Sequence, residues 1–407
     1  MTPTSPDPLV ERVAAHLRRL CVQIGPRPGG SPANLAAAEY IRSIYQSCGL
    51  DVEMQEFACP AWEDLGTHLE VNGASLDAAA NAFSPPCDVT ASAVALGTIP
   101  QLEAADLTGR IGVLYGDLAA NTLSPKSWFL KSEKDDQIIR LLEEKAPSAL
   151  ITVQPRLGEL QRIIVDWEFL IPSATVPARA GLALLRQESP TVHLRIASRQ
   201  EAGRTWNVIG RKPGASRNRI VLCAHYDTQF DTPGALDNAG GVAVVLALAE
   251  MLGRTDHDLG LECIAFANED TGLPVGSLLY VESDQARLGE IVALLNFDGV
   301  GHALDVNTVT MMAHSQPFGE LVEGIRRSYP GLIWVDPWPE SDHSSFSMRG
   351  VACLAFGTRA EWYLAHLRCD TIEWASPARL AEVARFAADV VERLQSKLPE
   401  WTREATQ

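Results

Sequence analysis

Apolar residues recur at helical spacing over Pro8–Cys21, where Val10, Val13, Ala14 and Leu17 share one face. A second helix is predicted after Ser31-Pro32, a capping serine with proline at the first helical position, with Ala36, Tyr40, Ile41 and Ile44 on its apolar side. Gly49 closes it, and Asp51–Phe57 alternates as a half-buried strand does. From Cys59 to about Arg199 the texture changes to short β-like runs such as Ile111–Tyr115 and Ala149–Val153, with a helical run over Asp136–Glu144 between those two. From Trp206 the pattern is plainly α/β. Ile220–Ala224, Leu261–Ala267, Ile291–Phe297, Val306–Ala313 and Val351–Phe356 read as strands, and Asn238–Leu252 and Pro377–Leu394 as helices. This alternation implies an α/β fold with a mostly parallel central sheet flanked by helices, and function at the carboxyl ends of its strands. The expected boundaries are 1–58 with 203–407 for the main domain and 59–202 for an inserted, β-rich accessory domain.

Charge narrows the function. Of 407 residues, 51 are Asp or Glu against 34 Lys or Arg, a formal net charge of -17. A surface this acidic argues against nucleic acid or an anionic membrane as partner and leaves carboxylates free to hold cations. The longest largely apolar stretch, Gly240–Leu252, is shorter than the roughly 18–20 residues of a membrane span. The opening residues carry neither a basic region nor a long apolar one, and the eight cysteines form no CxxC pair. The expectation from these is a cytoplasmic protein with reduced thiols.

Metal-ligand residue types stand directly after three of the predicted strands. His225 and Asp227 follow the first, Glu269 and Asp270 the second, and Asp298 the third. Gly234-Ala-Leu-Asp237-Asn238 opens a helix, and His366 lies in His-Leu-Arg-Cys-Asp370-Thr371. Singly, each has a plain structural reading: His225 as a hydrogen-bonded core histidine, Asp237 as a helix N-cap, Asp298 as a turn residue before Gly299. As an ordered set they fit a two-metal centre. Zn(II) accepts imidazole nitrogen and carboxylate oxygen, and two ions can sit about 3.5–4 Å apart under one bridging carboxylate. Such an inventory leaves Glu269 over, beside a ligand, where a carboxylate can accept a proton from water and return it to a leaving amine.

These motifs resemble the co-catalytic zinc exopeptidases of the aminopeptidase Y, bacterial leucyl aminopeptidase and glutamate carboxypeptidase type. The likeness rests on Ala224-His225-Tyr-Asp227-Thr, Gly234–Asn238, Asn268-Glu269-Asp270, Asn296-Phe-Asp298-Gly-Val-Gly301, Ser341-Asp342-His343, His366–Thr371 and the opening Gly25-Pro-Arg27-Pro-Gly-Gly-Ser31. It implies two Zn(II), with Co or Mn as substitutes, held by His225, Asp237, Asp270, Asp298 and His366, with Asp237 bridging. Glu269 would then be the general base, Asp227 would orient the His225 imidazole, and His343 would line the cleft and steady the oxyanion. His343 is also read as a loop histidine satisfied by hydrogen bonds. Leu107–Tyr115, Ile171–Val176 and Gly181–Leu185 resemble a protease-associated domain, whose expected role is to limit substrate size.

Three departures from the family pattern stand out. Asp270 replaces a second glutamate, Gly272–Ser277 is one residue longer than usual, and Leu-Arg-Cys follows His366 where a threonine is usual. The resemblance implies hydrolysis of N-terminal residues from peptides or amino-acid amides. A carboxypeptidase, a glutaminyl cyclase and a receptor-like binding module without catalysis are the competing readings, and oligomeric state is left open.

Overall fold

The computed structural model of the chain describes residues 7–128, 130–272, 275–360 and 363–404. It divides into two units, Met1–Cys59 with Arg204–Gln407, and Pro60–Gly203. The strands are β1 (Asp51–Val71), β2 (Ala74–Leu76), β3 (Ala79–Ala80), β4 (Cys87–Leu96), β5 (Ile111–Leu114), β6 (Ala149–Val153), β7 (Ser173–Val176), β8 (Thr191–Lys212), β9 (Arg219–His225), β10 (Gly260–Phe266), β11 (Ile291–Phe297), β12 (Asn307–Met312), β13 (Leu332–Trp334) and β14 (Cys353–Thr358).

In the first unit the strand order is β13-β12-β14-β11-β9-β10-β8. The middle four strands, β14, β11, β9 and β10, are mutually parallel. Every residue in them is buried. Strands covered on both faces need apolar side chains at successive positions, which is why they read as unbroken apolar runs. The sheet is thus mostly parallel, as expected, and turns antiparallel only toward its flanks: β8 runs antiparallel to β10, and β12 antiparallel to β14. Connection length explains both. Parallel strands need a crossover of about a dozen residues or more, and the links from Lys212 to Arg219 and from Phe297 to Asn307 are too short for one.

Helices Pro8–Arg18, Gly240–Leu252 and Pro377–Leu394 pack against one another, and the second also lies against β9, β10 and β11. Gly240–Ala249 is buried throughout, so the most apolar run of the chain is a core helix. The first predicted helix is α-helical only to Arg18 and continues as a π-turn over Arg19–Ile24, ended by Gly25 at φ 82°. The second, Pro32–Ser47, starts as expected, with Ser31 Oγ accepting the Asn34 N–H at 3.1 Å. The strand expected over Asp51–Phe57 extends to Val71.

In the second unit β4, β5, β6 and β7 form a parallel run, with β3 antiparallel to β7 and β4 antiparallel to β8. Helix Glu133–Lys145 begins three residues before the expected Asp136, because Ser132 caps it by accepting the Asp135 N–H at 3.0 Å. It buries Ile138, Ile139 and Leu142 in a core with Leu96, Leu114 and Leu150. No disulfide joins the eight cysteines, all of which lie among the described residues.

Candidate metal centre

Strands β9, β10 and β11 end level with one another, His225 pairing with Phe266 and Cys223 with Asn296. Residues following each strand therefore emerge along one edge of the sheet. His225 closes β9, the Asn268–Thr271 turn follows β10, and Asp298 follows β11. Asp237 arrives from the turn before helix Gly240–Leu252. Its backbone is extended, at φ -119° and ψ 87°, and both its carboxylate oxygens face imidazoles, so it does not serve as the N-cap that its position alone suggests. Asn238 does that work: its Oδ1 accepts the Gly241 N–H at 3.0 Å and its Nδ2 donates to the Phe297 carbonyl at 2.8 Å.

Five of the expected residues come together here. Asp237 Oδ1 lies 3.2 Å from His225 Nε2, and its Oδ2 lies 3.3 Å from His366 Nε2. Asp298 Oδ1 is 3.2 Å from His225 Nε2, and Asp270 Oδ1 is 3.0 Å from His366 Nε2. The cluster thus has two halves, each with one imidazole and one terminal carboxylate, sharing Asp237. Donors around a tetrahedral ion with bonds near 2.0–2.1 Å stand about 3.3 Å apart, which is the spacing of these pairs. The donor set fits zinc. One candidate ligand atom each from His225, Asp237 and Asp270 lie within 4.8 Å of one another, which keeps the two halves adjacent. His225 is 1 % exposed and His366 32 %, so the centre opens on the His366 side.

Proton affinities follow from this crowding. Burial disfavours charge on His225 and His366, but the facing carboxylates outweigh it, and both imidazoles are held well above their ordinary pKa. Burial raises Asp237 too, yet the two imidazoles prevail and hold it below the usual carboxylate range. Burial and the Asp237 charge push Asp270 up to about 6. Glu269 is raised well above its ordinary value by burial, with Asp298 and Asp270 adding to it against the pull of His225. Its Oε2 stands 4.0 Å from His225 Nε2, beside the ligand set.

Asp227 is fully buried, and its carboxylate accepts the N–H groups of Glu269 at 3.1 Å and Asp270 at 3.2 Å, with Thr271 Oγ1 donating at 3.3 Å. Its Oδ1 is 3.6 Å from His225 Nδ1, beyond hydrogen-bond length. Asp227 therefore shapes the Glu269-Asp270 turn more directly than it orients the imidazole. His343 stands apart from the expected cleft role. It is fully buried against Trp338, its Nε2 donates to the Trp338 carbonyl at 2.8 Å, and its Nδ1 accepts from Asn296 Nδ2 at 3.2 Å. Both ring nitrogens are occupied, leaving none for an oxyanion, and burial lowers its pKa to about 4.

Other supporting residues were not assigned a role from the sequence. Ser341 Oγ donates to Asp298 Oδ2 at 2.6 Å and accepts from Asn296 Nδ2 at 2.9 Å. The Gln229 N–H donates to Asp270 Oδ2 at 3.2 Å. Asp370 accepts the Asp237 N–H at 3.1 Å. Ser341 and Asp370 sit inside the motifs already quoted; Gln229 carries no local signal. Of the longer segment Gly272–Ser277, Leu273 and Pro274 lie outside the described residues.

Residues 207–391 match the family model of peptidase family M28. The chain is 29% identical over 306 residues to a probable lipoprotein aminopeptidase LpqL of Mycobacterium tuberculosis, covering 71% of this chain and 58% of that protein. It thus spans less than two thirds of that relative's length. It is 28% identical over 404 residues to aminopeptidase YwaD of Bacillus subtilis, covering 92% of this chain and 82% of that one. In fold it is similar to the solved structure of BSAP, a zinc aminopeptidase from Bacillus subtilis, with TM-score 0.76, 24% identity and coverage of 98% and 96% of the two chains. The resemblance carried by the motifs is therefore met over residues 207–391, which match the model of peptidase family M28.

Proposed function

We propose that this protein is a metallo-aminopeptidase that holds two zinc ions and removes N-terminal residues from peptides. The observation that carries the reading is the placing of Asp237 between two imidazoles, one oxygen to each, with Glu269 left over beside them. The aminopeptidase names of LpqL and YwaD support the direction of attack, and the zinc of BSAP supports the metal. His225 and Asp298 would hold one ion, His366 and Asp270 the other, and Asp237 both. Bound zinc would supply a Lewis acid that polarises the scissile carbonyl and makes water more acidic.

The rest is done by the chain's own groups. Glu269, 13 % exposed, is buried enough to bind a proton tightly and near enough to the centre to pass it on. It takes a proton from the attacking water and returns it to the departing amine. Asp227 fixes the backbone of Glu269 and Asp270 through their N–H groups, and Ser341 fixes the orientation of Asp298. Such outer contacts typically matter about 10–100-fold in metal affinity or activity.

The test is mass spectrometry of peptides with free and blocked N-termini, incubated with zinc-loaded protein and with a chelated control. Stepwise loss of residues from free N-termini only, abolished by chelation, is the expected result. Trimming from the C-terminus would replace the reading with a carboxypeptidase, and intact peptides with zinc bound would refute it.

A further inference from the structure

The bridging carboxylate sits on a turn, residues 233–237, that has little secondary structure of its own to hold it. Gly234 is left-handed at φ 61°, and a Cβ there would stand 2.4 Å from both the Asp237 carbonyl oxygen and Thr228 Cγ2. Buried backbone groups in such a turn need partners from elsewhere. They come from two charged side chains far away in the sequence. Arg27 is fully buried, and its guanidinium donates to the carbonyls of Tyr226 at 2.5 Å, Pro233 at 2.8 Å and Gly234 at 3.2 Å. It also reaches back to the Gly25 carbonyl at 3.3 Å, and its own N–H donates to Thr228 Oγ1 at 3.0 Å. Asp370, also fully buried, accepts the N–H of Leu236 at 2.9 Å and that of Asp237 at 3.1 Å, while its carbonyl accepts the Ala235 N–H at 3.2 Å.

The turn is therefore gripped by polarity: a guanidinium donating to its carbonyls at the start, a pair of carboxyl oxygens accepting from its amides at the end. We propose that Arg27 and Asp370 are a positioning pair for Asp237, which aims one carboxylate oxygen at each half of the centre by clamping residues 233–237 from opposite ends. The inference rests on the two-zinc reading. Asp370 meets Asp237 at its backbone N–H and not at its carboxylate, and Arg27 lies outside the segment matched by the family model. The chemistry of the clamp is specific. A guanidinium is a planar fork with five donors that reaches several carbonyls at once, whereas a lysine ammonium is a point. Asp370 adds a second link, because it lies four residues beyond His366 and so ties that histidine's loop to the bridging turn.

The test compares the full chain with Arg27→Lys and Asp370→Asn by zinc titration of chelator-treated protein and by thermal melts in chelator and in zinc. Wild type is expected to bind two ions and to melt higher in zinc. Each variant is expected to melt cooperatively in chelator, to bind at least one ion about 10–100-fold more weakly, and to lose most of the zinc-dependent rise in melting temperature. A purely structural role would lower both melts together and leave the zinc-dependent rise intact; that result overturns the proposal. Should Arg27→Lys fail to fold in chelator, the same two melts on Asp370→Asn decide it, since that change keeps the side chain's size and removes one of the two oxygens that accept the Leu236 and Asp237 N–H groups. Wild type binding no zinc would remove the two-zinc reading itself. Wild type binding two ions, with variants of unchanged affinity, would remove only the positioning pair.

Discussion

Asp237 turns its Oδ2 to within 3.3 Å of Nε2 of His366 while its Oδ1 faces His225 at 3.2 Å. Both oxygens of one carboxylate are thus committed, one to each half of the centre. Replacing one oxygen by an amide nitrogen, as in Asp237→Asn, removes an acceptor from one half only. Zinc content measured on the dialysed protein is expected to fall from two ions to one per chain. Two ions retained at wild-type affinity would show that Asp237 does not bridge.

Glu269 stands beside the ligands rather than among them, 4.0 Å from His225 Nε2. Glu269→Gln keeps its size and loses only its capacity to carry a proton. Zinc content is expected to stay at the wild-type level while turnover falls by about 10²–10⁴-fold, the usual worth of a general acid–base group. Undiminished turnover would remove Glu269 from the reaction.

Asp270 uses one oxygen toward His366 and has the other held by the Gln229 N–H at 3.2 Å. Asp270→Ala therefore empties the His366 half and leaves Asp237, His225 and Asp298 in place. One tightly bound zinc per chain is expected, with the remaining ion insensitive to an added His366→Ala substitution. Loss of both ions from Asp270→Ala alone would mean that the halves do not load separately.

Stability of the metal-free protein should depend on pH with a definite sign. Burial holds Asp270 up to about 6 and Asp342 and Asp370 up to about 7, above the range they have when unfolded. Groups that bind protons more tightly when folded add stability that is complete below their unfolded pKa and lost as pH rises through the folded one. His225 and His366, raised by the carboxylates that face them, act in the same sense above about pH 6.5. Melting temperature in chelator is thus expected to fall between about pH 5 and 7.5. Zinc displaces the same protons, so the zinc-dependent rise in melting temperature should grow over that interval. A flat or rising melt in chelator would contradict the electrostatics of the cluster.

Gly29 lies where a Cβ would stand 1.7 Å from Asn268 Oδ1 and 3.1 Å from Thr271 Oγ1. Those two residues flank Glu269 and Asp270 on the turn after β10. Gly29→Ala is expected to cost about 1–3 kcal/mol in denaturant unfolding, as overpacking of a tight site does, and to lower turnover as the turn shifts. Wild-type stability would show that the Asn268 side chain can swing aside.

The sequence alone determined the features that depend on short stretches. Buried strands such as Ile220–Ala224 and Ile291–Phe297 announce themselves because both faces must be apolar, and the polar residues that end those runs are the ones the sheet brings to its edge. The helix start at Ser31 was legible because capping is a contact within one turn. The tertiary structure decided what depends on distant partners. Two short links reverse the outer strands, which no periodicity records. Asp227 binds amides on the turn after the neighbouring strand β10, and His343 spends both nitrogens on Trp338 and Asn296. Arg27 grips a carbonyl 207 residues along the chain. Residue type sets which atoms can ligate or donate; only the folded register of loops sets which atoms face one another, because that register is fixed by contacts between segments that local sequence does not see.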